Sequence, residues 1–163
     1  MGFYHSRPLR RLIAELKFGG VTSLNLEVER FLLDRAASFG WEFPWQDAPM
    51  QIQPIPLSSS RIRERGFNQS HTIALRMREA WLPHAEIMDV LERLPGAPAQ
   101  ATIDHELRAS NIKGAFVARR RIEGSILLVD DVVTTGSTAA EGARCLLGAG
   151  ADQVYLATLA IGM

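Results

Sequence analysis

Apolar positions along the chain change spacing several times, and each spacing predicts a type of element. Apolar residues recur every three or four positions in residues 6–17 and 22–39, which is typical of amphipathic helices. The remaining patterns predict strands at 50–55, 86–91, 115–118, 126–130 and 153–160, and helices at 67–80 and 138–148. This alternation of strands and helices predicts an α/β fold, with a mostly parallel central sheet and helices on both faces.

The length of the chain favours a single domain over residues 1–163. A chain of 163 residues is long enough for one well-filled core and too short for two comfortable domains. We expect residues 1–40 to form a helical N-terminal part and residues 50–163 to form the core. The connector at 40–49 carries two tryptophans among prolines. They could stack on bases, but without basic neighbours they are better explained as packing a lid or an interface.

One segment, residues 126–138, carries most of the chemical information. Its sequence is ILLVDDVVTTGST, which is four apolar residues, two acids, two valines and a turn of small residues. An unbroken apolar run rich in branched side chains suits a strand buried on both faces of a parallel sheet. Open α/β sheets bind ligands at the carboxyl ends of their strands. The acids Asp130 and Asp131 and the turn after them are therefore predicted to lie at a ligand site.

The turn after the two acids has the composition of a phosphate-binding loop. A helix start offers free backbone N–H groups and a partial positive charge, and both favour an anion. The candidate phosphate-binding residues are Thr134, Thr135, Gly136, Ser137 and Thr138. Carboxylates beside a phosphate repel it, unless Asp130 and Asp131 hold sugar hydroxyl groups or a bridging Mg²⁺. The competing interpretation is a buried strand followed by an ordinary Asp-initiated turn.

A second candidate anion site follows the first strand of the core. Residues 58–69 read SSSRIRERGFNQ and lie between a predicted strand and a predicted helix. We expect residues 58–66 to be a charged loop whose guanidinium groups bind a pyrophosphate through several donors at once. The candidate residues are Ser58, Arg61, Arg63 and Arg65. The competing interpretation is a solvated charge run with a helix cap.

A long polar stretch at 93–109 is the third candidate. The run Pro95-Gly96-Ala97-Pro98 is incompatible with regular structure, and a loop of this length is either functional or disordered. A lid that closes over a reactive sugar would keep water away from it. His105 could donate a proton there, although such a histidine is more often a surface residue. The competing interpretation of the whole stretch is a surface excursion.

The charge balance argues against a general polyanion-binding surface. Eighteen basic and eighteen acidic residues cancel, although Arg119, Arg120 and Arg121 are consecutive. The sequence shows no signal peptide, no apolar run of membrane-spanning length and no disulfide framework. We therefore expect a cytoplasmic protein without a membrane partner.

The order of these motifs resembles a known family. The run from Ile126 to Thr138 is similar to the 5-phosphoribosyl-1-pyrophosphate (PRPP) signature of type I phosphoribosyltransferases. More narrowly, the segment Arg65–Gln69, followed by Arg93, Gln100 and Arg108, resembles the ComF family, which includes the GntX type. The resemblance covers nearly the whole chain. It implies the type I phosphoribosyltransferase fold and an association with the uptake of transforming DNA.

The resemblance also implies a ligand and a set of roles. The ligand would be PRPP or ribose 5-phosphate, with Mg²⁺ bound through the ligand near Asp130 and Asp131. The PRPP-binding residues would be Asp130, Asp131, Val132, Val133, Thr134, Thr135, Gly136, Ser137 and Thr138. Pyrophosphate would contact Ser58, Arg61, Arg63 and Arg65. The lid would carry Arg93, Gln100, His105 and Arg108, and the catalytic residues would be Asp130, Asp131 and Arg108.

Two departures from the family change these expectations. The family usually carries a cysteine-rich zinc ribbon before the segment that begins at Tyr4. Cys145 is the single cysteine here, so we expect no zinc in this chain. Purine-salvage relatives commonly carry a third acid in the phosphate loop where this chain has Thr134, which disfavours a 6-oxopurine acceptor. Amine and pyrimidine-like acceptors stay open.

Two classes of function stay open on the sequence alone. The first is a phosphoribosyltransferase that releases pyrophosphate. The second is a non-catalytic PRPP-binding or interaction protein, which would contact single-stranded DNA or a helicase-type partner of the uptake machinery. A homodimer is compatible with both. Binding needs only the acids and the phosphate loop, whereas turnover also needs an acceptor site.

Overall fold

The computed structural model describes residues 50–95 and 113–162, together with the backbone of residues 2–3. Several sequence predictions lie outside these described residues, namely the helices at 6–17 and 22–39, the connector at 40–49, and Gln100, His105 and Arg108. Among the described helices, none combines the length and the apolar character needed to cross a lipid bilayer.

A five-stranded parallel sheet organises the described part of the chain. Its strands, in chain order, are β1 (Gly2–Phe3), β2 (Met50–Pro54), β3 (Glu86–Ile87), β6 (Ser125–Val133) and β7 (Gln153–Ile161). They lie in the spatial order β1-β7-β6-β2-β3. The helices within residues 50–95 and 113–162 are α1 (Ser59–Arg65), α2 (Gln69–Trp81) and α3 (Ser137–Gly148). Two short strands, β4 (Leu91–Arg93) and β5 (Phe116–Ala118), form a separate antiparallel pair.

The sheet is buried on both faces because alternate side chains of its strands pack against different helices. On one face, Ile52 and Leu127 pack in a cluster with Ile73 of α2. On the other face, Leu128 packs in a second cluster with Leu146 of α3. The four apolar residues that follow Ser125 in β6 are each at most 2% exposed, as expected for a central strand of a parallel sheet. The predicted α/β fold with helices on both faces is confirmed.

The neighbouring strands β2 and β6 separate at their carboxyl ends. Their pairing ends with Pro54 opposite Val129, while β6 continues along β7 as far as Val133, which lies opposite Ile161. The chain leaves β2 towards β3 and leaves β6 towards β7, which lie on opposite sides of this pair. A point where connections diverge in this way is where open α/β sheets form a ligand crevice.

The structure corrects the predicted loop at 58–66, because Ser59–Arg65 form helix α1. The Ser58 side chain caps this helix by accepting a hydrogen bond from the Arg61 N–H at 3.4 Å. Gly66 ends the helix with a left-handed φ of 78°. The prediction was wrong because no residue of α1 is buried, so the helix has no apolar spacing to reveal it.

The predicted strand at 86–91 is also wrong, because it divides into β3 and β4. The buried side chain of Gln53 accepts hydrogen bonds from the N–H groups of Val90 and Leu91, at 2.9 and 3.3 Å. This contact fixes the chain where it passes from the main sheet into the small antiparallel pair. Arg93, predicted in the polar stretch, is therefore the last residue of β4.

Candidate functional site

A cavity of about 210 Å³ lies in the crevice where β2 and β6 separate. The two acids Asp130 and Asp131 line it, as do Thr134 and Thr138 from the turn that follows them. Three arginines line the same cavity, namely Arg61, Arg65 and Arg93. The crevice therefore gathers both acids and three cations around one space.

Backbone amides and one hydroxyl group fix the two carboxylates. The Asp131 N–H donates to Asp130 Oδ1 at 2.9 Å, and the Val132 N–H donates to Asp131 Oδ1 at 2.8 Å. The Ser70 hydroxyl, from the first turn of α2, donates to Asp130 Oδ1 at 3.3 Å. The acids are part of β6 itself, so their positions are set by a paired strand and not by a loose loop.

The environment of Asp130 favours its neutral form. Burial, and after it the neighbouring charge of Asp131, raise the pKa of Asp130 to about 7. The Asp131 N–H and the Ser70 hydroxyl act in the opposite direction by stabilising the ionised carboxylate. Near neutral pH this carboxyl group is therefore poised between its two states. A cation or additional hydroxyl donors in the cavity would favour ionisation.

The arginines of the cavity come from two separate elements. Arg61 and Arg65 are four residues apart on α1 and so share one helix face. Arg93 ends β4, and its guanidinium carbon lies 5.5 Å from the ring centroid of Phe116, a cation–π contact. Burial, and then the charge of Arg61, lower the pKa of both Arg65 and Arg93. Partly buried cations that repel one another are stabilised by an anion bound between them.

The turn after β6 has the geometry of a tight strand-to-helix connection. Gly136 adopts a left-handed φ of 76° immediately before α3. The hydroxyl oxygens of Thr135 and Ser137 lie 2.9 Å apart, and the Ser137 N–H donates to Thr135 Oγ1 at 3.4 Å. The helix start thus lies beside the acids, where its backbone N–H groups and dipole favour an anion.

A glycine inside α3 brings this helix close to the sheet. A Cβ atom at Gly142 would lie 3.1 Å from Cδ1 of Ile55 and 3.3 Å from Cδ2 of Leu128. Ile55 directly follows β2 and also lines the cavity. The close approach of α3 therefore contributes to the shape of the cavity wall.

The cavity includes most of the described site residues that the sequence predicts. Those that line it are Ser58, Arg61, Arg65, Arg93, Asp130, Asp131, Val132, Thr134 and Thr138. Five other predicted residues are described and lie outside its lining, namely Arg63, Val133, Thr135, Gly136 and Ser137. Arg63 is exposed on α1. No specific role is predicted from the sequence for Gln69 or Ser70, although both line the cavity. The sequence signal that could have pointed to these two residues is Asn68, which directly precedes them and caps α2.

The donor set of the cavity fits Mg²⁺ that is bound together with a ligand. Carboxylate oxygens are the ligands that this hard cation prefers, and it commonly uses one or two of them with substrate phosphates. Across residues 50–95 and 113–162, no group of three or more His, Cys, Asp and Glu side chains is arranged to hold a metal. Asp130 and Asp131 offer two such carboxylates, and a Mg²⁺ ion held there would take its other ligands from the bound molecule and water.

Comparisons with known proteins give relatives over most of the chain. The DNA utilization protein YhgH of Escherichia coli strain K12 is 34% identical over 154 residues, covering 93% of this chain and 67% of the relative. YhgH of Salmonella typhimurium is 34% identical over 153 residues, which is 93% of this chain and 66% of the relative. The competence protein F of Haemophilus influenzae is 28% identical over 161 residues, with coverages of 96% and 69%. The chain spans about two thirds of the length of these relatives.

Two further comparisons do not identify a family for this chain. No protein-family model matches the chain. A solved structure described as the allosteric regulatory enzyme of purine biosynthesis has a TM-score of 0.48 and 20% identity, covering 82% of this chain and 25% of that one. This likeness is too low to carry an argument. The relatives named YhgH and competence protein F are sufficient, and by its similarity to them this chain belongs to the ComF/GntX family.

Proposed function

We propose that this chain binds PRPP with Mg²⁺ and transfers its phosphoribosyl group to an acceptor, releasing pyrophosphate. One observation carries the proposal: Asp130, Asp131 and Thr138 line the same cavity as Arg61 and Arg65. PRPP carries a sugar diol between a phosphate and a pyrophosphate. A site for it needs hydroxyl acceptors between two anion-binding regions, and the cavity offers that combination.

Each part of the cavity has a role in this proposal. Thr134, Thr138 and the start of α3 would bind the 5-phosphate through hydroxyl and backbone N–H donors. Asp130 and Asp131 would accept hydrogen bonds from the sugar hydroxyl groups. Mg²⁺ would neutralise charge on the pyrophosphate. The capping residue Ser58, with the arginines of α1, would hold the pyrophosphate through charge-assisted hydrogen bonds.

Catalysis would come from positioning and electrostatic stabilisation. The bond between the sugar and the pyrophosphate breaks as negative charge grows on the leaving group, so fixed cations beside that group lower the barrier. Arg61 and Arg65 are such cations, because they line the cavity on a capped helix. The acceptor would supply the nucleophile, and the pattern at Thr134 disfavours a 6-oxopurine.

A non-catalytic role in DNA uptake or utilization is the second candidate, and the names of the relatives favour it. In that role, PRPP binding would be kept without turnover, and a protein partner or single-stranded DNA would be the second ligand. The exposed Arg120 and Arg121 suit a phosphate backbone. Their neighbour Arg119 is bound to Glu92 at 2.9 Å, which reduces the positive charge of this surface.

A pyrophosphate-release assay separates the two candidates. PRPP and Mg²⁺ are incubated with the protein and with panels of amines, pyrimidines and purines. The transferase proposal predicts release that depends on one acceptor class and is lost in Arg61→Ala. Binding of PRPP without release for any acceptor would favour the non-catalytic role. A fluorescence titration with single-stranded DNA at two salt concentrations then tests its nucleic-acid branch.

A further inference from the structure

The first turn of α2 separates opposite charges in the cavity. Arg65 Nη1 donates to Gln69 Oε1 at 3.2 Å, and the next residue, Ser70, donates to Asp130 Oδ1 at 3.3 Å. Gln69 thus holds the guanidinium group of Arg65 and Ser70 holds the carboxyl group of Asp130, each through an uncharged side chain. Gln69 is 1% exposed, so its amide has little freedom to turn away.

The arginine held in this way lies close to an acid but is not paired with it. Arg65 and Asp131 line the same cavity. Burial, and then the charge of Arg61, lower the pKa of Arg65, and the charge of Asp131 acts in the opposite direction. Within the described residues, Arg65 forms no ion pair with either carboxylate of the cavity. Its Nε and the Nε2 of Gln69 are buried without a hydrogen-bond partner among those residues. A buried unsatisfied donor is costly, so this arrangement forgoes a stabilising contact that an ion pair would supply.

We infer that Gln69 is a positioning residue that keeps Arg65 available to an anion. The inference rests on the proposed function, because it names the anion as the pyrophosphate part of the ligand. A neutral amide restrains the guanidinium group without cancelling its charge. A carboxylate at the same place would neutralise it. Without the restraint, Arg65 would turn to Asp131, and the cavity would lose one cation and one hydroxyl acceptor together.

The test measures binding of inorganic pyrophosphate by calorimetry, without divalent cations, so that no metal engages the acids. Gln69→Leu is expected to weaken binding about tenfold, within the range of coupling between residues in contact. Adding Asp131→Asn removes the competing partner. It should recover most of the loss, and should improve binding much more in the Gln69→Leu background than in the unmodified protein. A purely structural role of Gln69 would not give this dependence on Asp131.

Two variants control for folding and for charge. Gln69→Glu keeps an acceptor for Arg65 but neutralises it, so it should weaken binding and should not be repaired by Asp131→Asn. Gln153→Leu, at an exposed position where β7 begins, should leave the affinity unchanged. Circular dichroism and urea unfolding identify any variant that loses its fold. If Gln69→Leu loses its fold, the test rests on Gln69→Glu instead.

The inference would be overturned if Gln69→Leu bound pyrophosphate as tightly as the unmodified protein, or if Asp131→Asn improved binding equally in both backgrounds. It would also be overturned if Asp131→Asn restored binding to Gln69→Glu, or if the unmodified protein did not bind pyrophosphate. Failure of the proposed function looks different. In that case pyrophosphate binds with the expected pattern, whereas PRPP with Mg²⁺ does not bind.

Discussion

Ser70 and Asp130 are sixty residues apart in the chain and meet at the cavity, where the hydroxyl of one donates to the carboxylate of the other at 3.3 Å. Asn68, two residues before Ser70, holds this contact in place through both polar atoms of its side-chain amide. Its Nδ2 donates to the Ile55 carbonyl at 2.9 Å, and its Oδ1 accepts from the Ser70 N–H at 3.1 Å. The start of α2 is thereby held against the end of β2. From this position Ser70 donates its hydrogen bond to Asp130, one of the candidate catalytic residues.

Removing the Ser70 hydroxyl should raise the pKa of Asp130 further. That hydrogen bond stabilises the ionised carboxylate, so Ser70→Ala favours the protonated form. Loss of the contact should also lower the free energy of unfolding by about 1 kcal/mol. Carbon-13 NMR titration of the Asp130 carboxyl measures the first effect. Ser59→Ala, at an exposed position of α1, is the control, and an unmoved titration in Ser70→Ala would contradict the assignment.

Asp130 should contribute a loss of stability as the pH rises from about 4 to 8. Its pKa in the folded protein, about 7, lies above its ordinary value of 3.8. Its contribution is therefore fully present below the ordinary pKa and is lost as the pH rises through the folded one. Asp130→Asn should remove this loss, which is on the order of 2 kcal/mol between pH 5 and pH 8, since partial exposure reduces the full effect. Urea unfolding at several pH values tests this, and parallel profiles would refute it.

Gly142→Ala should destabilise the protein, although alanine favours helices. The new Cβ atom would press on Ile55 and Leu128 at 3.1 and 3.3 Å. Overpacking of this kind costs about 1–3 kcal/mol. Gly148→Ala is a matched control, because no atom lies within 4 Å of the corresponding Cβ on the same helix. Denaturant unfolding should show a loss for the first variant and no loss for the second. The opposite ranking would show that α3 packs differently.

Removing the Glu141 side chain should lower the free energy of unfolding far more than removing the side chain of its partner Arg144. The Glu141 carboxylate is 7% exposed and accepts hydrogen bonds from the Gly114 N–H at 2.6 Å and from Arg144 Nε at 2.8 Å. Glu141→Ala leaves the Gly114 N–H without its acceptor and should cost about 2 kcal/mol. Arg144→Ala removes a mostly exposed partner that water can replace, so its cost should be much smaller. Thermal unfolding compares the two, and equal losses would count against this reading of the contact.

The sequence was most informative where one pattern had one physical explanation. The buried run of β6 and the two acids after it were predictable, because an unbroken branched apolar segment suits only a few environments. The observed strand is longer than the predicted 126–130, since Asp130 and Val132 still pair with Thr158 and Ala160 of β7. Pairing with residues 28 positions further along the chain cannot be deduced from the strand's own composition.

The parts that the sequence missed depend on caps and on contacts between distant segments. Helix α1 has no buried residue, so only its terminal signals, Ser58 and Gly66, mark it. The role of Gln69 depends on α2 lying against the tip of β6, which no local pattern reveals. The split between β3 and β4 likewise depends on the Gln53 side chain, whose partners are 37 and 38 residues away.

Thermal unfolding with PRPP and Mg²⁺ tests the central claim most directly, because a ligand that binds only the folded state raises the melting temperature. We expect a rise that grows with PRPP concentration, shrinks when Mg²⁺ is removed by a chelator, and disappears in the double variant Asp130→Asn with Asp131→Asn. A control variant, Arg63→Ala, changes an exposed arginine outside the cavity and should keep the shift. An unmodified protein whose melting temperature does not respond to PRPP at any Mg²⁺ concentration would contradict the proposed ligand.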